Sequence, residues 1–285
     1  MMKKFHKTVA IFATVAALTS GCNSREGYKQ LAEVGNKYSQ AVDQLLITAG
    51  SIKIDKTSEE ILNKKIRNNY VSNADYQDIS QPAKERLKLL NELRNHNRLL
   101  EAYFSKLQEL ASSNAPNEAK TAIAGIADNL NSSGASLQRI KSVNVVSPIA
   151  TIILDSQING ALKEELKQRK EAIVKELTIQ EELLKFLSED IQGDVERIQE
   201  LQEQRLVIQP LTQLQPIPDE EQWIAERSNI LTMNIKIEAL VRASNTLKEF
   251  KQTFQDSLEG KTSVTHLNSV LKDIDSFLML VATIK

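Results

Sequence analysis

The sequence predicts an all-α fold: an elongated, antiparallel bundle of five to seven helices with coiled-coil-like heptad seams. Three observations lead there. Apolar residues recur at steps of 3 and 4 through most of the chain, the spacing of one helical stripe. Glycine and proline are sparse, 9 and 6 in 285 residues, and aromatics make up only 5%, a usage that favours long helices over turn-rich sheets. No segment alternates apolar and polar residues between hairpin turns; Val143–Ile153 comes nearest and has no second strand to pair with.

The first stripe is Leu31, Val34, Tyr38, Ala41 with Val42, and Leu45. Gly50 is expected to end that helix, since glycine readily takes the left-handed C-terminal position. Thr57 and Glu60 then fit a capping box opening a short helix with Ile61, Leu62, Ile66 and Tyr70 inward. SNADYQDISQ is polar and turn-like, and Pro82 suits the first turn of the next helix. That helix carries Leu90, Leu93, Leu100, Tyr103, Leu107 and Leu110 on one face.

SSNAPNE interrupts the pattern before a helix with Ile123, Ile126, Leu130 and Leu137 on its stripe and many small residues beside it. A long helical hairpin is expected over 163–258, turning at 209–218, where Pro210, Pro216 and Pro218 remove backbone donors. Its ascending seam is Ile173, Leu177, Gln180, Leu184, Leu187, Ile191, Val195 and Ile198. If continuous from Lys163 to Ile208, that arm is roughly 70 Å long at 1.5 Å per residue. Asp219 or Pro218 opens the return arm, with Ile230, Met233, Ile237, Leu240, Ser244, Leu247, Lys251, Phe254 and Leu258 inward. Gly260 stops it. Thr262 is expected to cap a last helix with Val264, Leu267, Leu271, Ile274, Leu278 and Val281 on its seam. Breaks every 20 to 45 residues favour an intramolecular bundle over one continuous dimeric coiled coil.

Chemistry-bearing motifs are scarce. His96 and His266 are not preceded at three residues by glutamate, as a di-metal helical bundle requires. Glu92 lies four before His96, a spacing typical of a polar pair on one helix face. There is no HExxH, no glycine-rich phosphate loop and no G-x-S-x-G elbow. The paired acids at 59–60, 164–165, 181–182 and 220–221 point about 100° apart on a helix and read as solvated surface. No metal, cofactor or catalytic set is therefore expected. Gln180, Ser244 and Lys251 fall on core-facing steps, where polar residues can set register between helices at some cost in stability. Trp223, the only tryptophan, and Ile224 follow the proline-rich turn; they could form a docking anchor or a staple closing the hairpin.

Residues 142–162 contain one charged residue, Asp155. The segment reads as a buried connector, a partner surface or, as in helical pore-forming toxins, a membrane-inserting element. Its Asn144, Pro148, Gln157, Asn159 and Gly160 oppose a spanning helix.

The amino terminus reads MMKKFHKTVAIFATVAALTSGC. Lys3, Lys4 and Lys7 precede an apolar run, Val9–Leu18, too short to span a bilayer, and small residues lead into Cys22, the only cysteine. LTSGC resembles the lipobox of bacterial lipoproteins, although Thr19 stands where leucine is commonest. The resemblance implies a cleaved signal peptide, 1–21, fatty acylation of Cys22 and a short tether, 22–27, before a single helical domain, 28–285. Asn23, in place of aspartate, implies the outer membrane in a double-membraned host, facing the periplasm or the cell surface. Loss of the three signal lysines leaves 33 Lys+Arg against 37 Asp+Glu, a net charge near −4, which disfavours nucleic-acid binding. With Cys22 acylated no thiol remains. The functional expectation is a lipid-anchored envelope protein acting as a non-enzymatic scaffold, spacer or binding module for an envelope partner. The alternatives are a toxin-like protein inserting 142–162 into membrane, and an enzyme without a visible motif.

Overall fold

A 44-residue helix, α1 (Arg25–Asn68), forms the spine of the molecule, about 66 Å long at 1.5 Å per residue. The computed structural model describes residues 25–112 and 162–284. After α1 come α2 (Asn73–Ser112), α3 (Leu162–Gln202), a π-helical turn (Glu203–Ile208), α4 (Gln209–Thr212), α5 (Glu220–Lys248), α6 (Phe250–Leu258) and α7 (Val264–Ile284). No strand occurs among the described residues. The fold is an all-α helical bundle, as the stripe pattern predicts.

Cross-helix pairs give the directions. Asn36 meets Gln108 and Asp43 meets Arg94, so α2 runs antiparallel to α1. Lys53 meets Asp194 and Glu59 meets Arg205, so α3 runs parallel to α1. Ser188 meets Ser244, and Lys170 meets Glu259 at the start of α3, so the return arm of α5 and α6 is antiparallel to α3. Gln30 meets Asn268 and Lys37 meets Asp275, so α7 is parallel to α1. Two antiparallel hairpins, α1–α2 and α3–α5, thus lie side by side with both tips at one end. The last helix fills the groove between α1 and α5.

Leu31, Val34, Tyr38, Ala41, Val42 and Leu45 are buried as expected, as is the whole ascending seam from Ile173 to Ile198. Aromatic rings tie the hairpins together: Tyr38 stacks on Phe250 at 4.6 Å, and Phe104 meets Phe250 and Phe254 edge-on at 5.8 and 6.1 Å. Gly35 makes room for this knot, because a Cβ there would overlap the Phe104 ring.

Several expectations are corrected. Gly50 does not end α1; it lets α2 approach, a Cβ at this site coming 3.1 Å from Leu87 Cδ2. Thr57 is no N-cap but donates its hydroxyl back to the Lys53 and Ile54 carbonyls, a mid-helix habit of threonine. Leu62, Ile66 and Tyr70 are exposed rather than inward, since the unbroken helix carries its phase past the covered region. The helix ends instead at Asn69, with φ 56°, a left-handed position that asparagine tolerates. SNADYQDISQ is not a turn: Ser72 and Asp75 cap each other reciprocally and start α2 nine residues before Pro82, which lies inside the helix. Chain reversal occupies 213–219 rather than 209–218. Pro210 stays helical because the wide π-turn precedes it, a local adjustment that accommodates a missing donor. Asp219 caps α5 as expected, accepting from Gln222 N at 2.9 Å. Gly260 has φ 71° and stops α6, but Ser263, not Thr262, caps α7 through His266 N. On α7 the inner face is Leu267, Val270, Ile274, Phe277 and Val281, while Leu271 and Leu278 are only partly buried.

Candidate functional site

Three places on the described molecule carry polar or exposed apolar groups in an arrangement worth chemistry or binding. The first is a buried layer between α2 and α3. His96 Nδ1 lies 2.8 Å from Glu176 Oε1, and Gln180 Nε2 donates to the same oxygen at 2.9 Å. His96, Glu176 and Gln180 are all buried. Burial disfavours the imidazolium, but the charge and hydrogen bond of Glu176 more than offset this and raise the His96 pKa. Tyr38 is pushed far up, first by burial and then by the charges of Glu176 and Glu181. Asn97 donates to the Ser39 carbonyl at 2.6 Å. Among the described residues, Asn97 Oδ1 and Gln180 Oε1 find no partner. Glu92, the same-helix neighbour suggested by spacing, is not the partner of His96. Glu176 was invisible in the sequence because the two are 80 residues apart. The layer's side chains are buried, and they line neither cleft described below. It can fix helix register.

The polar seam residues divide. Gln180 and Ser244 are buried, Ser244 against Ser188 at 3.1 Å. Lys251 is half-buried and pairs with Glu181 at the rim.

The second place is the hairpin tip. Trp223 is half-buried and donates Nε1–H to the Val207 carbonyl at 3.3 Å, stapling the start of α5 to the π-turn. Ile224 beside it is 60% exposed. Leu211, Leu214, Leu231 and Ile235 are exposed on the same hairpin, and Tyr70 and Tyr76 on the tip of the other. Among the described residues, large apolar side chains in the open are therefore concentrated at the end of the bundle away from the start of α1.

The third place is a cleft of about 220 Å³ between α1, α3 and α5. Its floor is apolar, from Ile52, Val195, Ile198 and Ile237, and Met233 closes one side. Asp55, Ser58 and Glu59 of α1 stand along its edge. Glu59 is neutralised by Arg205, at 2.7 and 3.0 Å, and by Gln202 at 3.1 Å. Asp55 has its pKa raised by partial burial and by the Glu59 charge. A second cleft of about 330 Å³ lies between α3 and α5, lined by Gln192, Glu196, Asn234, Ile237 and Arg242.

Among the described residues no three His, Cys, Asp or Glu side chains are grouped to hold a metal ion, and no helix is long and apolar enough to cross a membrane. Cys22 and nearly all of segment 142–162 lie outside the described residues. Comparison of the chain with protein families, with curated proteins and with solved structures returned no match.

Proposed function

We propose that the chain is a lipid-anchored protein of a bacterial cell envelope, acting without catalysis as a scaffold, spacer or binding module through its helix surfaces. The observation that carries the binding part is the exposed apolar set at the hairpin tips, Ile224, Leu214, Leu231 and Tyr70 among them. Monomeric proteins rarely gather such residues without a partner for them. The anchor is supported by the charged start, short apolar run and LTSGC of residues 1–22. An acyl chain on Cys22 tethers the start of α1 and holds the tips roughly 66 Å away, the length of a 44-residue helix. Residence in the outer membrane, facing the periplasm or the cell surface, follows from Asn23 in the same reading.

Two measurements test this. Cys22→Ala should block incorporation of labelled fatty acid and leave the precursor uncleaved; labelling equal to wild type would sink the anchor. A photo-crosslinking residue in place of Ile224 should capture one discrete envelope component in intact cells, whereas the same probe at Lys272, exposed on α7, should not. Equal capture from both sites would remove the tip as the binding surface.

A further inference from the structure

Among the described residues, the groove between α1 and α5 is filled over only half its length. Gln30 pairs with Asn268 and Lys37 with Asp275, a constant offset of 238 residues. Extending that register sets Ile284, the last described residue of α7, beside Leu46 of α1. The cleft opens past that point, from Ile52 onward, and α1 continues to Asn68. From Leu46 to Asn68 the spine runs for about 33 Å beyond the described residues of α7.

The uncovered length keeps the character of a helix seat. Lys37 and Asp55 are 18 residues apart, five full turns, so Asp55 stands on the row of α1 that meets α7. Leu62 and Ile66 lie on the same row and are 41% and 38% exposed. Ile52 of α1 and Met233 and Ile237 of α5 line the cleft between them. In the filled half this groove takes the apolar stripe of α7 from Leu267 to Val281.

Charge along the row reverses. In the filled half α1 presents Lys37 to an acid of α7, Asp275, at 3.0 Å. In the open half it presents Asp55, beside Glu59, and no cation is paired with Asp55 among the described residues. Nearby Lys53 and Lys56 are held by Asp194. An occupant of the open half therefore needs the apolar spacing of α7 with a base where α7 carries an acid.

We propose that the open half of the α1–α5 groove receives an amphipathic helix of a partner protein, with its apolar stripe over Leu62, Ile66 and Met233 and a lysine or arginine against Asp55. This rests on the reading of the chain as a binding module and names the surface and the partner chemistry. It places a second contact beside the hairpin tips, continuous with a packing interface the protein already uses, in the manner of helix-in-groove recognition.

The test uses the soluble mature chain beginning at Asn23 and a fluorescein-labelled 18-residue peptide of leucine and lysine, leucines spaced by 3 and 4. Fluorescence anisotropy should show saturable binding. Asp55→Lys should weaken it at least tenfold and Leu62→Gln about fivefold, while Glu189→Lys, an exposed acid of α3 away from the groove, leaves it unchanged. A leucine–glutamate peptide of the same spacing should bind at least tenfold more weakly. All replaced side chains are exposed, and circular dichroism of each variant checks that the fold is retained. No saturable binding, or an equal response to Glu189→Lys and Asp55→Lys, overturns the proposal. A dimer in sedimentation equilibrium that Leu62→Gln disperses would overturn it in favour of self-association. Fatty-acid labelling at Cys22 and capture from Ile224 do not involve the groove, so failure here is distinguishable from failure of the anchored-module reading.

Discussion

Glu176 Oε1 lies 2.8 Å from His96 Nδ1, a hydrogen bond between α3 and α2 with both side chains buried. The bond favours the imidazolium in the folded protein and raises the His96 pKa above its ordinary value, despite burial. Stability from the pair is therefore fully present below the unfolded pKa, about 6.5, and is lost as pH rises through the raised folded value. Urea midpoints of the wild type should fall as pH is raised from about 6 to 9, and Glu176→Gln should flatten that fall. Parallel pH profiles for the two proteins would show that the pair does not titrate as described.

Two glycines in helices should respond in opposite senses to alanine. At Gly35 the added methyl meets the Phe104 ring, and overpacking of this kind costs about 1–3 kcal/mol. At Gly193 nothing lies within 4 Å of the added Cβ, so Gly193→Ala should stabilise by about 0.5–1 kcal/mol through helix propensity. Denaturation midpoints that shift the same way would contradict the packing of α1 on α2.

The phase of α7 can be read from three substitutions. Ile274 is fully buried, so Ile274→Ala should cost about 2–5 kcal/mol. Leu271 is only partly buried, and Leu271→Ala should cost distinctly less, about 1–2 kcal/mol. Exposed Asp273 should tolerate alanine within about 0.5 kcal/mol. An order with Leu271 above Ile274 would restore the seam predicted from sequence spacing.

Arg205 holds the Glu59 carboxylate with two hydrogen bonds, and Glu59 is 7% exposed. Arg205→Ala leaves that carboxylate poorly solvated beside Asp55, and should cost about 2–4 kcal/mol. Glu59→Gln in the Arg205→Ala background should recover part of the loss. Additive effects in the double mutant would mean that the two residues act independently.

Much of the bundle was legible because burial on helices writes itself as spacing. Every residue of the seam from Ile173 to Ile198 is buried, and Asp219 and Gly260 act as the boundary residues their chemistry suggests. Reading failed where local chemistry serves tertiary contact. Gly50 resembles a stop but accommodates Leu87. The first two turns of α2 are largely solvated, so no apolar stripe marks them as helix. Leu271 and Val270 are both apolar, and one-residue steps between apolar neighbours leave the helix phase undecided. The partner of His96 and the open groove depend on which helices lie side by side, which no local pattern records.

The pairing of Gln30 with Asn268 joins the beginning of the spine to the last helix across 238 residues of chain. A contact of such sequence separation closes late and slowly, because the loop must be gathered first. During synthesis at about 5–20 residues per second, the side of α1 destined for α7 waits tens of seconds for its cover. The covering of that side of the spine thus waits on delivery of α7, and a ribosome stalled at Gly260 would hold a chain whose spine still lacks it.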